Sequence, residues 1–486
     1  MSIVFTDNQN YQDIADAIRA KNGSSDTYLP SEMAAAIEDI SGGGSSGGGG
    51  SASDPVKFID YDGTILHSYS VADFMALTAM PENPSHSGLT AQGWNWSLAD
   101  AKAQLTAYPE AGLTIGQMYI TDDGKTRIYV HFEEARKSPY LGICPEGTVT
   151  IDWGDNSATD TLTGTSLASV KTIQHEFPSA GDYVITLTVE SGSFAFFGVS
   201  NTSHILKKST DTTANINKVY TNTVQKIELG TGSNLGNYAF DFCMSLKTIT
   251  IPSSITSIGT YAFYNCYSLV SVTIPDNVVN IGYNAFYNCY SLVSVTIPDS
   301  VKSIGSSSFT NCYSLPSITI PNGVTSIDGS AFGNCYSLVS ITIPDSVTSI
   351  GTYVFSTCVS LASVTIPDSV TSIGTYVFTN CYSLTSVTIP NGVTSIKNNA
   401  FNACYSIASI TIPDGVTSIG TYVFYYCYGM KEYHFLPTTP PTLANTNAFT
   451  NIQSDCIIYV PQGSLEAYQT ATNWSTYASY MQEEPS

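Results

Sequence analysis

The stretch CYSLVSVTIPDNVVNIGYNAFYN, Cys266–Asn288, decides the architecture of most of the chain, because it recurs. Its leading cysteine returns as Cys243, Cys266, Cys289, Cys312, Cys335, Cys358, Cys381, Cys404 and Cys427, each 23 residues after the last. A fixed period of about 20–50 residues marks stacked repeats, each of which buries its apolar side only against its neighbours. In this unit Leu269, Val272, Ile274, Val278, Ile281, Phe286 and Cys289 form the inward set. Ser271 and Thr273 alternate with them and are expected to point outward, as are their equivalents from Ser294 and Thr296 to Ser409 and Thr411.

A period between about 20 and 29 with L-x-x-L-x-L spacing reads as a leucine-rich-repeat solenoid. The array resembles the BspA-like leucine-rich repeats of bacterial surface proteins, some protist surface proteins and phage receptor-binding proteins. IIYVPQGSLEAYQTATNWSTYASYM, Ile457–Met481, resembles the C-terminal cap of that family. VQKIELGTGSNLGNYAF, Val224–Phe240, reads as a degenerate first coil. The solenoid is assigned to residues 201–437 and the cap to 438–486.

The nine cysteines of the column invite disulfide or metal readings. Neighbouring strands lie about 4.8 Å apart, close enough for a disulfide. The column nevertheless occupies an inward position, where free cysteine packs as a small hydrophobe, so a reduced buried ladder is expected. No C-x-x-C pair occurs, and His67, His86, His131, His175, His204 and His434 are scattered. No metal site and no cofactor are assigned. Asp276, Asp299, Asp345, Asp368 and Asp414 follow Ile-Pro in successive units and read as turn residues, with calcium bridging as the alternative.

Upstream, the chain reads as separate small units. Residues 1–41 carry two short amphipathic helices, too little surface for a stable core alone. DIADAIRAKNGSSDTYLPSEMAAAI, Asp13–Ile37, resembles the N-terminal segment of phage tail-fibre and baseplate-attached proteins, which implies attachment to a tail or baseplate protein. GGGSSGGGGSAS, residues 42–53, is a flexible linker. Residues 54–125 read as a small α+β domain: a hairpin turning at Asp62-Gly63, a helix from Ser97 to about Ala107, and an alternating run turning at Asp123-Gly124. FIDYDGTIL, Phe58–Leu66, also matches D-x-D-G-T, the nucleophile loop of haloacid-dehalogenase phosphatases. That chemistry needs a doubly wound domain with further Ser/Thr, Lys and acidic positions, and no parallel-strand alternation follows. Asp60 and Asp62 are therefore read as turn residues. In residues 126–200, TVTIDWGDNS and HEFPSAGDYVITLTV resemble the polycystic-kidney-disease (PKD) domain, an immunoglobulin-like sandwich. Trp153, Gly154, Asp155, His175, Phe177, Gly181, Tyr183 and Leu187 carry that resemblance, which implies a spacer or adhesive module.

Composition excludes several classes. Charged residues are 12%, net charge is -22 and tyrosines number 32. Such an acidic chain does not attract nucleic acid. No apolar run reaches the length of a membrane helix, and the N-terminus lacks the basic and apolar regions of a secretory signal. Cytoplasmic synthesis and a place in a virion tail are the expectation.

Comparing units within the chain separates scaffold from surface. The Ser and Thr strand columns scarcely change, whereas the positions flanking the inward Phe vary. Tyr261, Tyr353, Tyr376 and Tyr422 stand just before the small residue that precedes Phe; Tyr283 stands one position earlier. Tyr264, Tyr287 and Tyr425 follow Phe, and Tyr267, Tyr290, Tyr313, Tyr336, Tyr382, Tyr405 and Tyr428 follow Cys. Tyr, Ser, Gly and Asn are the residues of antibody paratopes, since Tyr gives contact area at low entropic cost. These fifteen tyrosines are the candidate ligand-binding set, with packing of a convex surface as the alternative. The set of substituents is also what changes at adenines of AAY codons would yield. The expected function is a non-enzymatic phage-tail receptor-binding protein that recognises a bacterial surface glycan or protein. The alternatives are a bacterial surface adhesin and a glycan-degrading tail enzyme. A homo-oligomer, trimeric as in tail fibres, is left open.

Overall fold

The computed structural model describes residues 56–59, 65–83, 89–94, 98–107, 113–121, 123–197, 205–207 and 221–485. The attachment segment, the Gly/Ser linker, Asp60 and Asp62 lie outside the described residues. Among the described residues the protein is mainly β, built on a solenoid of 23-residue period with a small C-terminal helix.

β1 (Val56–Ile59) and β2 (Ile65–Tyr69) pair antiparallel, closing from Val56↔Tyr69 to Ile59↔Ile65, as the Asp62-Gly63 turn signal predicts. α1 (Val71–Ala76) follows; its N-cap Ser70 accepts the Asp73 amide at 3.1 Å. β3 (Leu89–Trp94), α2 (Leu98–Ala107) and β4 (Leu113–Thr121) complete a sheet of order β2-β1-β4-β3. Val56, Phe58, Phe74, Ala101, Leu105, Leu113 and Ile115 form its core. β1–β4 is the one parallel pair among the described strands of this sheet, so the successive crossovers of a doubly wound phosphatase are not built here.

The run through Asp123-Gly124 is not a hairpin. β4 belongs to the small sheet, whereas β5 (Thr126–Phe132) pairs with β9 (Gly181–Phe196) in the next module. A turn dipeptide sets a local bend, but the partners of its flanking strands are chosen by burial. Along β5 buried residues alternate with more exposed ones, and Ile128, Val130 and Phe132 face a core that β4 does not share.

β6 (Tyr140–Asp152) is the hub of that module. Its first residues pair with β8 (Lys171–Gln174) and β10 (Leu206–Lys207), and its remainder with β7 (Asp160–Thr165) and β9. The strand changes partners between Ile143, its last residue on β8, and Glu146, its first on β7; just beyond, Gly147 (φ 127°) crosses Gly192 (φ 70°). A Cβ on Gly192 would lie 1.8 Å from the Glu146 carbonyl oxygen, so only glycine fits. Beneath, Trp153 is buried and stacks on His175 at 4.4 Å; its indole donates to Asp160 at 2.8 Å.

This module and the solenoid share one sheet and one core. β11 (Val224–Glu228) pairs antiparallel with β5 (Ile227↔Ile128) and parallel with Thr248–Thr250 (Ile227↔Ile249). Ser233–Leu235 runs parallel to the end of β9, and Phe196 lies 5.0 Å from Phe240. The first coil therefore has no exposed edge.

Each coil has three sides. The front sheet stacks strands such as Ser271–Thr273 on Ser294–Thr296 in register. The second stacks short strands such as Asn280–Ile281 on Ser303–Ile304. The third is a run of turns, tied to the next coil by Tyr261, Phe263 and Asn265 amides donating to the carbonyls of Tyr283, Ala285 and Tyr287 at 2.8–2.9 Å. Inside, Phe240, Phe263, Phe286, Phe309, Phe332, Phe355, Phe378, Phe401, Phe424 and Phe449 form one ladder, with centroids 5.0–5.8 Å apart. Trp474 of the cap ends the ladder 5.6 Å from Phe449.

All eleven cysteines are buried and none is in a disulfide. Along the column, each thiol from Cys266 to Cys427 donates to the Phe carbonyl of the preceding coil at 3.1–3.4 Å. That carbonyl already accepts a backbone N–H, as Phe240 does from Cys243, so the thiol meets its second lone pair. No disulfide links the column, and from Cys266 to Cys427 each thiol has a carbonyl partner inside the core.

The outward hydroxyl columns are not uniformly open. Thr248, Thr250, Ser294 and Ser340 are buried, whereas Ser386, Thr388, Ser409 and Thr411 are exposed. β4 lies within 8 Å, Cα to Cα, of Thr248–Thr250 and Ser294–Thr296, so the α+β unit rests on the first coils of the front sheet. A strand alternation specifies which residues face away from the coil core, not what packs on them afterwards.

Candidate functional site

The fifteen candidate tyrosines all fall on the turn side, in columns with different environments. The column after Cys is a stack of rings. Tyr267, Tyr290, Tyr313 and Tyr336 lie 4.6–4.7 Å apart and within 6° of parallel, and Tyr382, Tyr405 and Tyr428 continue after the break at Val359. Their faces cover one another, and Tyr313 is only 8% exposed. This column presents ring edges and hydroxyls to a partner.

Tyr261, Tyr353, Tyr376 and Tyr422 share an unusual backbone. Their φ angles are 55–59°, and Tyr238, Asn284, Ser307, Ser330 and Asn399 at equivalent positions match them. The left-handed region costs an L-residue roughly 1–2 kcal/mol, least for Asn. A second left-handed column shows the inexpensive solution. Asn265, Asn288, Asn311 and Asn334 have φ of 57–63°, and the amides of the last three each donate to the preceding one at 2.6–2.7 Å. This second column is Asn in five of its nine coils, with Phe242, Thr357, Ala403 and Tyr426 at the others, while the first is Tyr in five of nine and Asn in only two. The asparagine column is visible in the sequence, and its 23-residue recurrence was the signal for a buried polar ladder.

The remaining tyrosines cluster with these. Tyr353 stacks on Tyr376 at 4.5 Å, Tyr261 on Tyr238 at 4.7 Å, and Tyr264 on Tyr287 at 5.1 Å. Tyr283 meets Tyr261 edge-on at 5.3 Å, and Tyr422 meets Tyr425 at 5.2 Å. Tyr283, Tyr353, Tyr422 and Tyr428 are 36–46% exposed, unusual for such large side chains. Burial, with a lesser contribution from Tyr376, holds the Tyr353 phenol above its usual range, so it remains a neutral donor.

Positions 260, 261 and 264, with their equivalents through 421, 422 and 425, make 24 sites, all Tyr, Thr, Asn, Ser or Gly. These 24 positions hold no Asp, Glu, Lys, Arg, His or Cys. Among the described residues no group of three or more His, Cys, Asp or Glu side chains is placed to hold a metal. No helix among them is long and apolar enough to cross a membrane.

The stacked coils, inward Leu/Val/Ile/Phe set and parallel short strands define a leucine-rich-repeat solenoid. The model of the BspA type leucine-rich repeat region matches residues 233–362 and 348–471, in six copies. The repeat region of this chain belongs to that family. Among solved structures, the chain is similar to a leucine-rich cell surface protein of Faecalibacterium prausnitzii, at 32% identity over 42% of this chain and 69% of that one, with a TM-score of 0.28. It is also similar to the leucine-rich repeat protein of T. pallidum, at 28% identity over 42% of this chain and 83% of that one (TM-score 0.31). A third is the pneumococcal vaccine antigen PcpA, at 19% identity over 52% and 65% (TM-score 0.38). No curated protein matches the chain.

Proposed function

We propose that the protein is a non-enzymatic binding protein of the bacterial surface-adhesin kind, whose solenoid meets its partner with the tyrosine-bearing turn side. One observation carries the reading: the sheets barely change from coil to coil, while the turn side varies and holds Tyr in left-handed backbone that Asn would occupy at less cost. The name of the F. prausnitzii protein places it at a cell surface, in keeping with an adhesive role. The module of residues 126–200, which we read as PKD-like, serves as a rigid mount for the array. The virion-tail reading rests on residues 13–37, which lie outside the described residues, and is the second choice.

The test is binding of the full chain to a panel of bacterial cells, beside a Tyr353→Asn/Tyr376→Asn/Tyr422→Asn variant. These columns already accept Asn at 284 and 399, so the variant keeps its fold. Loss of binding by tenfold or more, with an unchanged melting curve, is the expected result. Equal binding by variant and parent would reject the turn side as the contact surface. Co-purification with intact tail particles would move the assignment from adhesin to tail protein.

A further inference from the structure

Two variable columns fall to glycine in the same coil, at Gly329 and Gly333, with Ser330 between them. Equivalent positions elsewhere hold Thr, Tyr, Ser or Asn. Most solenoid glycines are forced: a Cβ on Gly259, Gly282, Gly305 or Gly351 would lie 2.4–2.7 Å from backbone atoms of the coil before. Gly329 and Gly333 are different. Their nearest neighbours would be 3.3 and 3.4 Å away, and neither has a left-handed φ. The scaffold would accept a side chain at both, yet the sequence leaves them bare.

The result is a saddle in the turn side. Its floor is Gly329, Ser330 and Gly333, with Ser306 and Thr310 of the previous coil bonded down to the carbonyls of Gly329 and Ser330. Tyr287, stacked on Tyr264, bounds one side, and Tyr353, stacked on Tyr376, bounds the other. Tyr353 is 41% exposed and covered by Tyr376 on the side away from the saddle, whereas Tyr287 is half-buried and closes the other end with its stack. Three coil steps separate the walls, about 14 Å at a strand spacing of about 4.8 Å.

Resting on the binding function proposed above, we propose that this saddle is a subsite for an uncharged glycan chain. The aromatic walls suit the apolar C–H sides of sugar rings, and the partly exposed Ser307 and Ser330 between them supply hydroxyls that match sugar hydroxyls. The 24 variable positions hold no cation to pair with a uronate, sialate or phosphate. The exposed Asp328 at the rim and the net charge of -22 repel polyanions. A protein partner fits less well: between the two tyrosine walls stand only Ser, Thr and Gly, with no large side chain at the centre to act as an anchor.

The experiment uses the full chain, bacterial cells that it binds, and a Gly329→Thr/Gly333→Thr variant. Thr occupies these columns at 352 and 310, so the variant fills the saddle with residues the coil already tolerates. Cells are treated with mild periodate, which cleaves sugar diols, or with protease, and binding is read in 0.05 and 0.5 M NaCl. Expected are loss of binding after periodate, retention after protease, less than a twofold change with salt, and at least a tenfold loss in the variant. Binding lost to protease but not to periodate would overturn the glycan in favour of a protein. A tenfold fall with salt would overturn an uncharged ligand, and full binding by the folded variant would overturn the saddle. If the chain binds no cells, the function proposed above fails and takes this inference with it; the other outcomes leave that function standing.

Discussion

At the scale of single residues, the balance at the left-handed tyrosines can be weighed. Changing Tyr353 and Tyr376 together to Asn relieves two left-handed positions and removes one stacked pair worth about 0.5–1.5 kcal/mol. The terms nearly cancel, so the unfolding free energy should move by less than about 1 kcal/mol while binding falls. A urea titration beside the binding curve would show it. Removing the central link of the asparagine ladder is another matter. Asn311 donates to Asn288 and accepts from Asn334 while 94% buried, so Asn311→Ala forfeits two amide bonds and strands two neighbours in a left-handed position. A loss of about 2–4 kcal/mol is expected by the same titration. Tyr353 and Asn311 also mark what a sequence reveals at this scale. Both columns recur every 23 residues and so announce a shared environment, but recurrence does not say that the environment is a positive φ. Tyrosine has no preference for that region, which leaves no local trace of it.

Among the structural elements, the thiol column has a pH signature. Burial raises every thiol of the column: Cys358 and Cys427 are pushed up to about 12, and the others are raised as well. An unfolded thiol ionises near pH 8.5. The folded state therefore holds protons that the unfolded state releases, and stability present below about pH 8.5 is lost as pH rises toward 12. A thiol that stays protonated in the fold and ionises on unfolding steepens the loss by up to about 1.4 kcal/mol per pH unit. Circular dichroism should show the fold being lost as pH rises from about 8.5 toward 12, with a shallower pH dependence when three of the cysteines are Ala. Native protein at pH 8 should resist iodoacetamide, which labels the thiols once it is unfolded. The inward identity of this column was legible because Cys289 keeps a fixed offset from Phe286, and burial repeats with the period. The partner of β5 was not. β11 begins nearly a hundred residues later, and nothing between Thr126 and Phe132 says whether β4 or β11 will lie beside it.

For the whole molecule, the shared sheet changes what can be cut away. A fragment of residues 201–486 would seem a natural binding domain from the repeats alone. It would leave β11 without β5 and expose Ile227 and Phe240, which now pack against the β-rich module. Such a fragment should be recovered mainly as aggregate by gel filtration, whereas residues 123–486 should run as a discrete species. Substituting Trp474 with Ala should cost about 3–5 kcal/mol, because it uncaps the phenylalanine ladder and frees the Pro441 carbonyl. Between these closed ends every coil-to-coil joint is nearly the same joint, with Phe on Phe and thiol on carbonyl. A duplication or deletion of one unit therefore leaves both ends and every surviving joint intact, while it slides the aromatic walls together or apart by one strand spacing. Recombination between repeats would act on this molecule as a ratchet, resetting the length of ligand it can hold in single steps without asking the core to change.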